Sequence, residues 1–564
     1  MAASQGLEDD DLLSIQQVRS LLKKAKAAQQ VLATLSQEQV DRICEAMCQA
    51  GFRAAEPLAR LTVEESGFGV VDYKTKKNQF ATQGLWEAIK GMKTVGILRR
   101  DDEQRVYEIA EPMGVTAGII PITNPTSTAM FKCIVSIKAR NAIVISPHPR
   151  GVRCISESCR VVYEAALRAG APEGCIGWLT ISTLPGTEEL MKHRDTALIL
   201  ATGGSELVKA AYSAGKPAYG VGPGNVPCWI DRSADVKMAA AAVVSSQTFD
   251  NGTLCCSEQA LVVDEPVRDA FLRNLVTLGA YVCNEEEIRK LEKIVAKGRR
   301  MNPDIVGQFP ARIAEMAGFA VPPKTTLLVC PLRGVGWDWP ISIEKLCPMV
   351  ALYVESGWEA GCHRCIEVLR FGGLGHTLVI HATDQRVIME YAMKKPAFRI
   401  LVNSPASQGS VGFHTNLVPS MTLGCGTPGN NITSDNVNPM NLVNIKRLAY
   451  VNELFLEEYD RTWRQRLEGN APAPRWGGSA PFDASPFPAP PVVNAASPRG
   501  DAAPQRGAPA AGGPERVPPY RGFDAGQGAS AGGPWPLPPR PMTVNRGEVL
   551  SPGDIESMIS RGRS

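Results

Sequence analysis

The sequence predicts an α/β fold built on parallel sheets, and three features carry that expectation. Short apolar runs ending in or near Gly or Pro recur at 114–123, 141–147, 196–204 and 217–224. Helical stretches such as 152–169 and 205–214 separate them, and strand–helix–strand alternation of this kind gives a parallel sheet covered on both faces. The chain has 564 residues, 44% of them hydrophobic and 21% charged, enough apolar material for several large cores.

Before the first strand, 14–32 and 36–54 carry apolar residues at helical spacing, and Ser36 followed by Gln39 forms a capping box. The alternating pattern then runs to about residue 465. Composition breaks near Asn470: residues 471–541 hold 18 Pro and 11 Gly among 71 positions, too few apolar side chains to offset ordering entropy. This segment is expected to stay disordered, as a spacer. Its arginines are diluted among Pro, Ala and Gly, whereas an RNA-binding tail would concentrate them. At 550–559 a pattern returns, with Ser551 as N-cap, Pro552 at the first helical position and Asp554 as box partner. Ile555, Met558 and Ile559 form one apolar stripe, so this short helix should fold only against a partner. The alternative is a frayed terminus.

Charge and cysteine usage exclude several classes. Sixty Lys+Arg against 57 Asp+Glu leave +3, too little for a dedicated nucleic-acid surface. No uninterrupted apolar run reaches the ~18–20 residues of a membrane span. The acidic start MAASQGLEDDDLL lacks the basic-then-apolar order of a secretory signal. Fifteen cysteines, an odd number scattered from Cys44 to Cys425, fit a reducing cytosolic interior better than a disulfide framework. Cys362 and Cys365 have zinc-like spacing, but no second pair follows and the segment reads as helix, so no metal is expected.

Three segments could carry chemistry. In TFDNGTLCCSEQALVV (248–263), Cys255 and Cys256 follow an Asp-Asn-Gly turn and precede a strand-like run. A thiol at such a turn can become an exposed nucleophile, and the same local signal serves a buried cysteine pair. In PITNPTSTAMFK (121–132), Asn124 lies where a strand gives way to a helix, and its amide could hold an oxyanion. The Gly-rich turns ATGGSELVK (201–209) and YGVGPGNVP (219–227) close strand ends where cofactors bind in doubly wound sheets, although neither is a G-x-G-x-x-G fingerprint.

The runs TNPTSTAMFKCIVSIKARNAIVISPHPR, TFDNGTLCCSEQ, EKLCPMVALY, GGLGHT, RILVNSPASQGSVG and PSMTLGCGTPGNN closely resemble the CoA-acylating aldehyde dehydrogenases. The likeness covers about 15–460 and is greatest to the aldehyde half of bifunctional aldehyde–alcohol dehydrogenases and to their microcompartment relatives. It implies the aldehyde dehydrogenase fold, with a Rossmann-like cofactor domain, an α/β catalytic domain and oligomerisation strands. The corresponding boundaries are 1–235 for the N-terminal helices and NAD-binding domain, with part of the oligomerisation segment near 107–125. The catalytic domain takes 236–430, a return to the cofactor domain and oligomerisation segment 431–465, the linker 471–541, and a targeting peptide 542–564.

By motif, the resemblance assigns Cys255 as nucleophile and Asn124 as oxyanion-hole amide. Glu344 matches the carboxylate on the nicotinamide ribose, and Gly203, Gly204 and Ser205 match the turn beside the pyrophosphate. Ser146, Pro147 and His148 fall where hydrolytic relatives hold the adenosine ribose with a lysine. His376 matches a position typical of acylating relatives, as an active-site or a structural hydrogen-bonding histidine. Hydrolytic relatives carry a glutamate base in the turn matching Tyr219–Pro227, which here contains no carboxylate. A thioester on Cys255 would then wait for coenzyme A rather than water. The implied activity is NAD-dependent oxidation of a short aldehyde, acetaldehyde or propionaldehyde, to acyl-CoA by a homodimer or homotetramer. The tail resembles microcompartment encapsulation peptides, which implies a shell-protein partner and a microcompartment lumen in the bacterial cytoplasm. An acyl-phosphate reductase and an inactive scaffold are the alternatives.

Overall fold

The computed structural model describes residues 9–470; the linker at 471–541 and the peptide at 542–564 lie outside the described residues. Helix Asp10–Leu32 starts on Asp9, whose carboxylate accepts the Asp11 N–H at 2.9 Å. It buries Val18, Leu22, Ala25 and Leu32 along one stripe. The expected capping box opens helix Gln37–Arg53: the Ser36 N–H donates to Gln39 Oε1 at 2.8 Å, and the Gln39 N–H donates to Ser36 Oγ at 3.3 Å.

The first large sheet has five parallel strands in the order Ile176–Trp178, Ala142–Ser146, Val115–Ile119, Thr196–Thr202, Ala218–Val221. Each of the four apolar runs read from the sequence contains one of these strands. Helix Pro125–Lys138 packs against the sheet with every residue buried. Such a helix must be apolar nearly all round, and its Lys132 is accommodated only because Nζ donates to Ile119 O at 2.7 Å and Leu200 O at 2.8 Å. Burial pushes the Lys132 ammonium well below its ordinary pKa. These bonds tie together the C-terminal ends of two central strands, where an open α/β sheet binds its ligands.

The second sheet has seven parallel strands, ordered Ala280–Val282, Leu327–Pro331, Met349–Glu355, Glu258–Asp264, Val226–Ile230, Gly375–His381, Ala397–Val402. Its side chains alternate between two cores: Ala260 and Val262 join one, Leu261 and Val263 the other. Strands buried on both faces read as continuous apolar runs, as ALVV does. The strand Val226–Ile230 belongs here, so the chain changes sheets within 222–225, ahead of the expected boundary at 235/236. Pro227 interrupts its apolar pattern and hid it in the sequence. A third, antiparallel sheet joins Gly96–Asp101, Val106–Pro112 and Val443–Ala449, bringing the distal segment back to the strand that precedes the first sheet's Val115–Ile119 in the chain.

Candidate active site

Cys255 is delivered by an unusual turn. Helix Val236–Thr248 gives way to Phe249–Gly252, in which Asp250 (φ 53°), Asn251 (φ 51°) and Gly252 (φ 67°) are successively left-handed. A non-glycine residue in this region costs roughly 1–2 kcal/mol, so two in a row need compensation. Asn251 Nδ2 donates to Gly307 O at 2.9 Å. Asp250, wholly buried, accepts from the Val70 N–H at 2.7 Å, from Thr253 Oγ1 at 2.8 Å and from Lys74 Nζ at 3.0 Å, and Lys77 Nζ completes its shell. Burial would raise the Asp250 pKa, but the ammoniums of Lys74 and Lys77 outweigh it and hold the carboxylate low. The outcome is selective exposure. All fifteen cysteines are unpaired, fourteen are buried, and Cys255 alone is half-buried. Cys256 points into the core, with Sγ 3.5 Å from Ser407 O.

Asn124 occupies the N-cap of helix Pro125–Lys138, yet its side chain makes no capping bond. Asparagine normally spends its side chain there. Here Nδ2 donates to Thr253 O and Thr123 Oγ1, both at 3.2 Å, and Oδ1 accepts from Lys77 Nζ at 2.5 Å. The amide is thus turned from the helix toward the segment that carries Cys255.

Both residues line one cavity of about 830 Å³. Ser146, Pro147 and His148 line it too, as do Gly203, Gly204, Ser205 and Glu344. The structure therefore brings nine of the ten residues singled out in the sequence to a single cleft. His376 is the exception: it lies wholly buried on strand Gly375–His381 and does not line the cavity. It lies beside the segment that carries Cys255 instead. Its Nδ1 is 2.9 Å from Thr377 Oγ1, and its Nε2 has no partner among the described residues. Hydrogen bonding to Cys256 and burial push the Cys255 thiol well above its ordinary pKa, and His376 draws it partly back.

The far end of the cavity suits a dinucleotide. Helix Ser205–Tyr212 aims its N-terminus at the glycine turn, and a Cβ on Gly203 would stand 2.6 Å from Leu207 Cδ2. Thr202 Oγ1 lines the same wall, buried and without a partner among the described residues. Ser146 Oγ is already engaged by Thr187 Oγ1 at 2.8 Å, so it has less to offer a ligand. Glu344 accepts the Gly224 N–H at 2.7 Å, and burial pushes its carboxyl up to about 8.

The turn expected to lack a base does face the cleft, through Val221, Gly222, Pro223 and Asn225. Asn225 Nδ2 is committed to Ser342 O at 2.8 Å and Val368 O at 3.1 Å. Among the described residues, the carboxylates lining the cavity are Glu206 and Glu344.

Lys74, Lys77 and Asp250 form the part of the site that the sequence reading missed. Helix Val71–Gln79, VDYKTKKNQ, looks like a solvated charged stretch, and Asp250 looks like an ordinary turn former. The available signal was two lysines spaced i,i+3, which places both on one helix face.

Two parallel α/β sheets thus accompany one cleft lined by a half-buried thiol and a side-chain amide. The chain belongs to the aldehyde dehydrogenase family, whose sequence pattern matches residues 11–282. It is 52% identical to an acetylating aldehyde dehydrogenase from Geobacillus thermoglucosidasius, with a TM-score of 0.78 over 79% of this chain and 99% of that one. It is 43% identical over 442 residues to the bifunctional aldehyde-alcohol dehydrogenase AdhE of Escherichia coli, covering 77% of this chain and 50% of that protein. The chain thus spans about half the length of that curated relative. A propionaldehyde dehydrogenase from the fucose utilisation bacterial microcompartment of Clostridium phytofermentans is 26% identical, with a TM-score of 0.70 over 77% of this chain and 97% of that one. Among the described residues, no helix is long and apolar enough to cross a membrane.

Proposed function

We propose that the chain oxidises a short aliphatic aldehyde, acetaldehyde or propionaldehyde, to its acyl-CoA through a thioester on Cys255. The observation that carries this reading is Cys255 and Asn124 at one cleft beside a turn, 219–227, that offers no water-activating carboxylate. NAD, when bound, supplies the hydride acceptor, and coenzyme A supplies the thiol that removes the acyl group. Gly203, Gly204 and the N-terminus of Ser205–Tyr212 would hold the pyrophosphate, Glu344 the nicotinamide ribose, and Ser146–His148 the adenosine end.

His376, buried beside the segment that carries Cys255, would take the Cys255 proton as the sulfur adds to the aldehyde carbonyl. The oxyanion is held by Asn124 Nδ2 and the Cys255 N–H. Loss of hydride collapses it to a thioester, which persists because the turn at 219–227 offers no carboxylate to activate water. Thiol attack then exchanges one thioester for another, so this transfer step is close to balanced and reversible.

The test is product formation with and without coenzyme A. This reading expects a burst of NADH near one equivalent per site without it, and steady acyl-CoA production with it. Sustained release of free acid would overturn acyl transfer, and acyl phosphate formation would favour the reductase alternative. Assaying C2 to C5 aldehydes with NAD and NADP fixes the substrate and cofactor.

Assembly belongs to the same proposal. A homodimer or homotetramer would cover Leu448, Tyr450, Leu454 and Phe455, which are exposed on the Val443–Ala449 strand and the segment after it. Residues 542–564 would dock on a shell protein, placing the enzyme in a microcompartment lumen; the microcompartment relative supports this. Fusion of 542–564 to a fluorescent reporter should give co-purification with shells, lost in an Ile555→Asp, Ile559→Asp variant. Uniform fluorescence beside intact shells would overturn the docking role.

A further inference from the structure

Lys77 lies outside the cleft that holds Cys255, yet its buried ammonium bonds directly to the oxyanion-hole amide. It reaches Asn124 Oδ1 at 2.5 Å, Thr253 Oγ1 at 3.3 Å and, more closely still, Asp250 Oδ2. The side chain is 4% exposed. A carboxamide has an acceptor end and a donor end, and an ammonium can only donate. A flipped Asn124 would set its NH2 against the NH3⁺, so Lys77 dictates which end faces the nucleophile.

We propose that Lys77 is a positioning residue of the oxyanion hole, pinning Asn124 with Nδ2 toward the reacting carbonyl and polarising it for negative charge. The inference rests on the acyl-transfer reading above, in which Asn124 holds the oxyanion. Three observations support it. Asn124 forgoes the capping bond natural to its position. Its two Nδ2 bonds are long, 3.2 Å each, leaving the donor available to a stronger acceptor. Asp250 anchors the same ammonium from the other side, which fixes the point from which it holds Asn124 Oδ1.

A buried ammonium can equally serve only to neutralise Asp250, and a double-mutant cycle separates the two roles. The measurement is the single-turnover rate of NADH formation in wild type, Lys77→Met, Asn124→Ala and the double variant, with aldehyde KM recorded for each. Loss of a charge-assisted bond should slow hydride transfer by about 10- to 100-fold with little change in KM. In the Asn124→Ala background the same substitution should cost less than about twofold, because its route is already gone. Should Lys77→Met fail to fold, Lys77→Gln replaces it, keeping a donor for Oδ1 without the charge, with a smaller loss that again vanishes beside Asn124→Ala. Full multiplication of the two losses would overturn the positioning role and leave Asn124 in place. A wild-type rate in Asn124→Ala would overturn both this inference and the oxyanion reading beneath it.

Discussion

Gly224 lies so close to the backbone of Cys255 that a Cβ on it would stand 2.0 Å from the Cys255 carbonyl oxygen. The same atom would come within 3.2 Å of His376 Cδ2. A side chain here would displace the Cys255 peptide. We expect Gly224→Ala to reduce acyl-CoA formation by more than tenfold while cofactor binding, measured by fluorescence titration, survives.

The two adjacent cysteines should separate cleanly. On the acyl-transfer reading, Cys255→Ala should abolish NADH formation. Hydrogen bonding to Cys256, together with burial, holds the Cys255 thiol high. Cys256→Ala should therefore lower the Cys255 pKa and speed its alkylation by iodoacetamide at pH 7, while turnover changes little. In wild type the alkylation rate should climb with pH beyond 9 rather than plateau near neutrality. Mass spectrometry of the labelled peptide decides which sulfur reacts.

Asn124→Ala should lower the hydride-transfer rate by roughly 10²–10³-fold, the usual cost of one oxyanion donor. Pre-steady-state absorbance at saturating aldehyde reads this directly. A change confined to KM would make Asn124 a ground-state binding group.

Glu258 supplies a pH prediction about stability. It is wholly buried, accepts the Ala406 N–H at 2.9 Å, and has Oε2 without a partner among the described residues. Burial pushes its carboxyl up to about 7. The folded state therefore prefers the protonated acid, and this contribution is full below the unfolded value near 4.5 and lost as pH rises through about 7. Glu258→Gln should match wild type near pH 4.5 and exceed it above pH 7.5, by on the order of 2–4 kcal/mol. Urea denaturation at the two pH values measures the difference; an equal offset at both would show that packing, not charge, governs the site.

The strands of the first sheet, the capping box at Ser36 and the segments that put Cys255 and Asn124 on one cavity were all legible in the sequence. Each rests on a short-range pattern or on a motif whose residues keep their spacing. The strand Val226–Ile230 was not, because Pro227 breaks its apolar run and its identity comes from neighbours distant in the chain. The Lys77–Asn124–Asp250 cluster was hidden for a related reason. Charge in a short helix normally means solvent, and only the tertiary placement of Asp250 reverses that reading. His376 was found as a residue but not as a position, since a motif does not tell whether a side chain lines a cleft or braces it from behind.

The fourteen buried cysteines have a use apart from catalysis. Seven of them sit in the core around the first sheet, among them Cys44, Cys133 and Cys175, and five in one core of the second, among them Cys283 and Cys365. A sulfur in such a place reacts with a small electrophile only when its neighbourhood opens, so its modification rate reports a local opening free energy. The protein therefore carries a ready-made set of probes that can rank which layer loosens first as temperature or denaturant rises, without an engineered label.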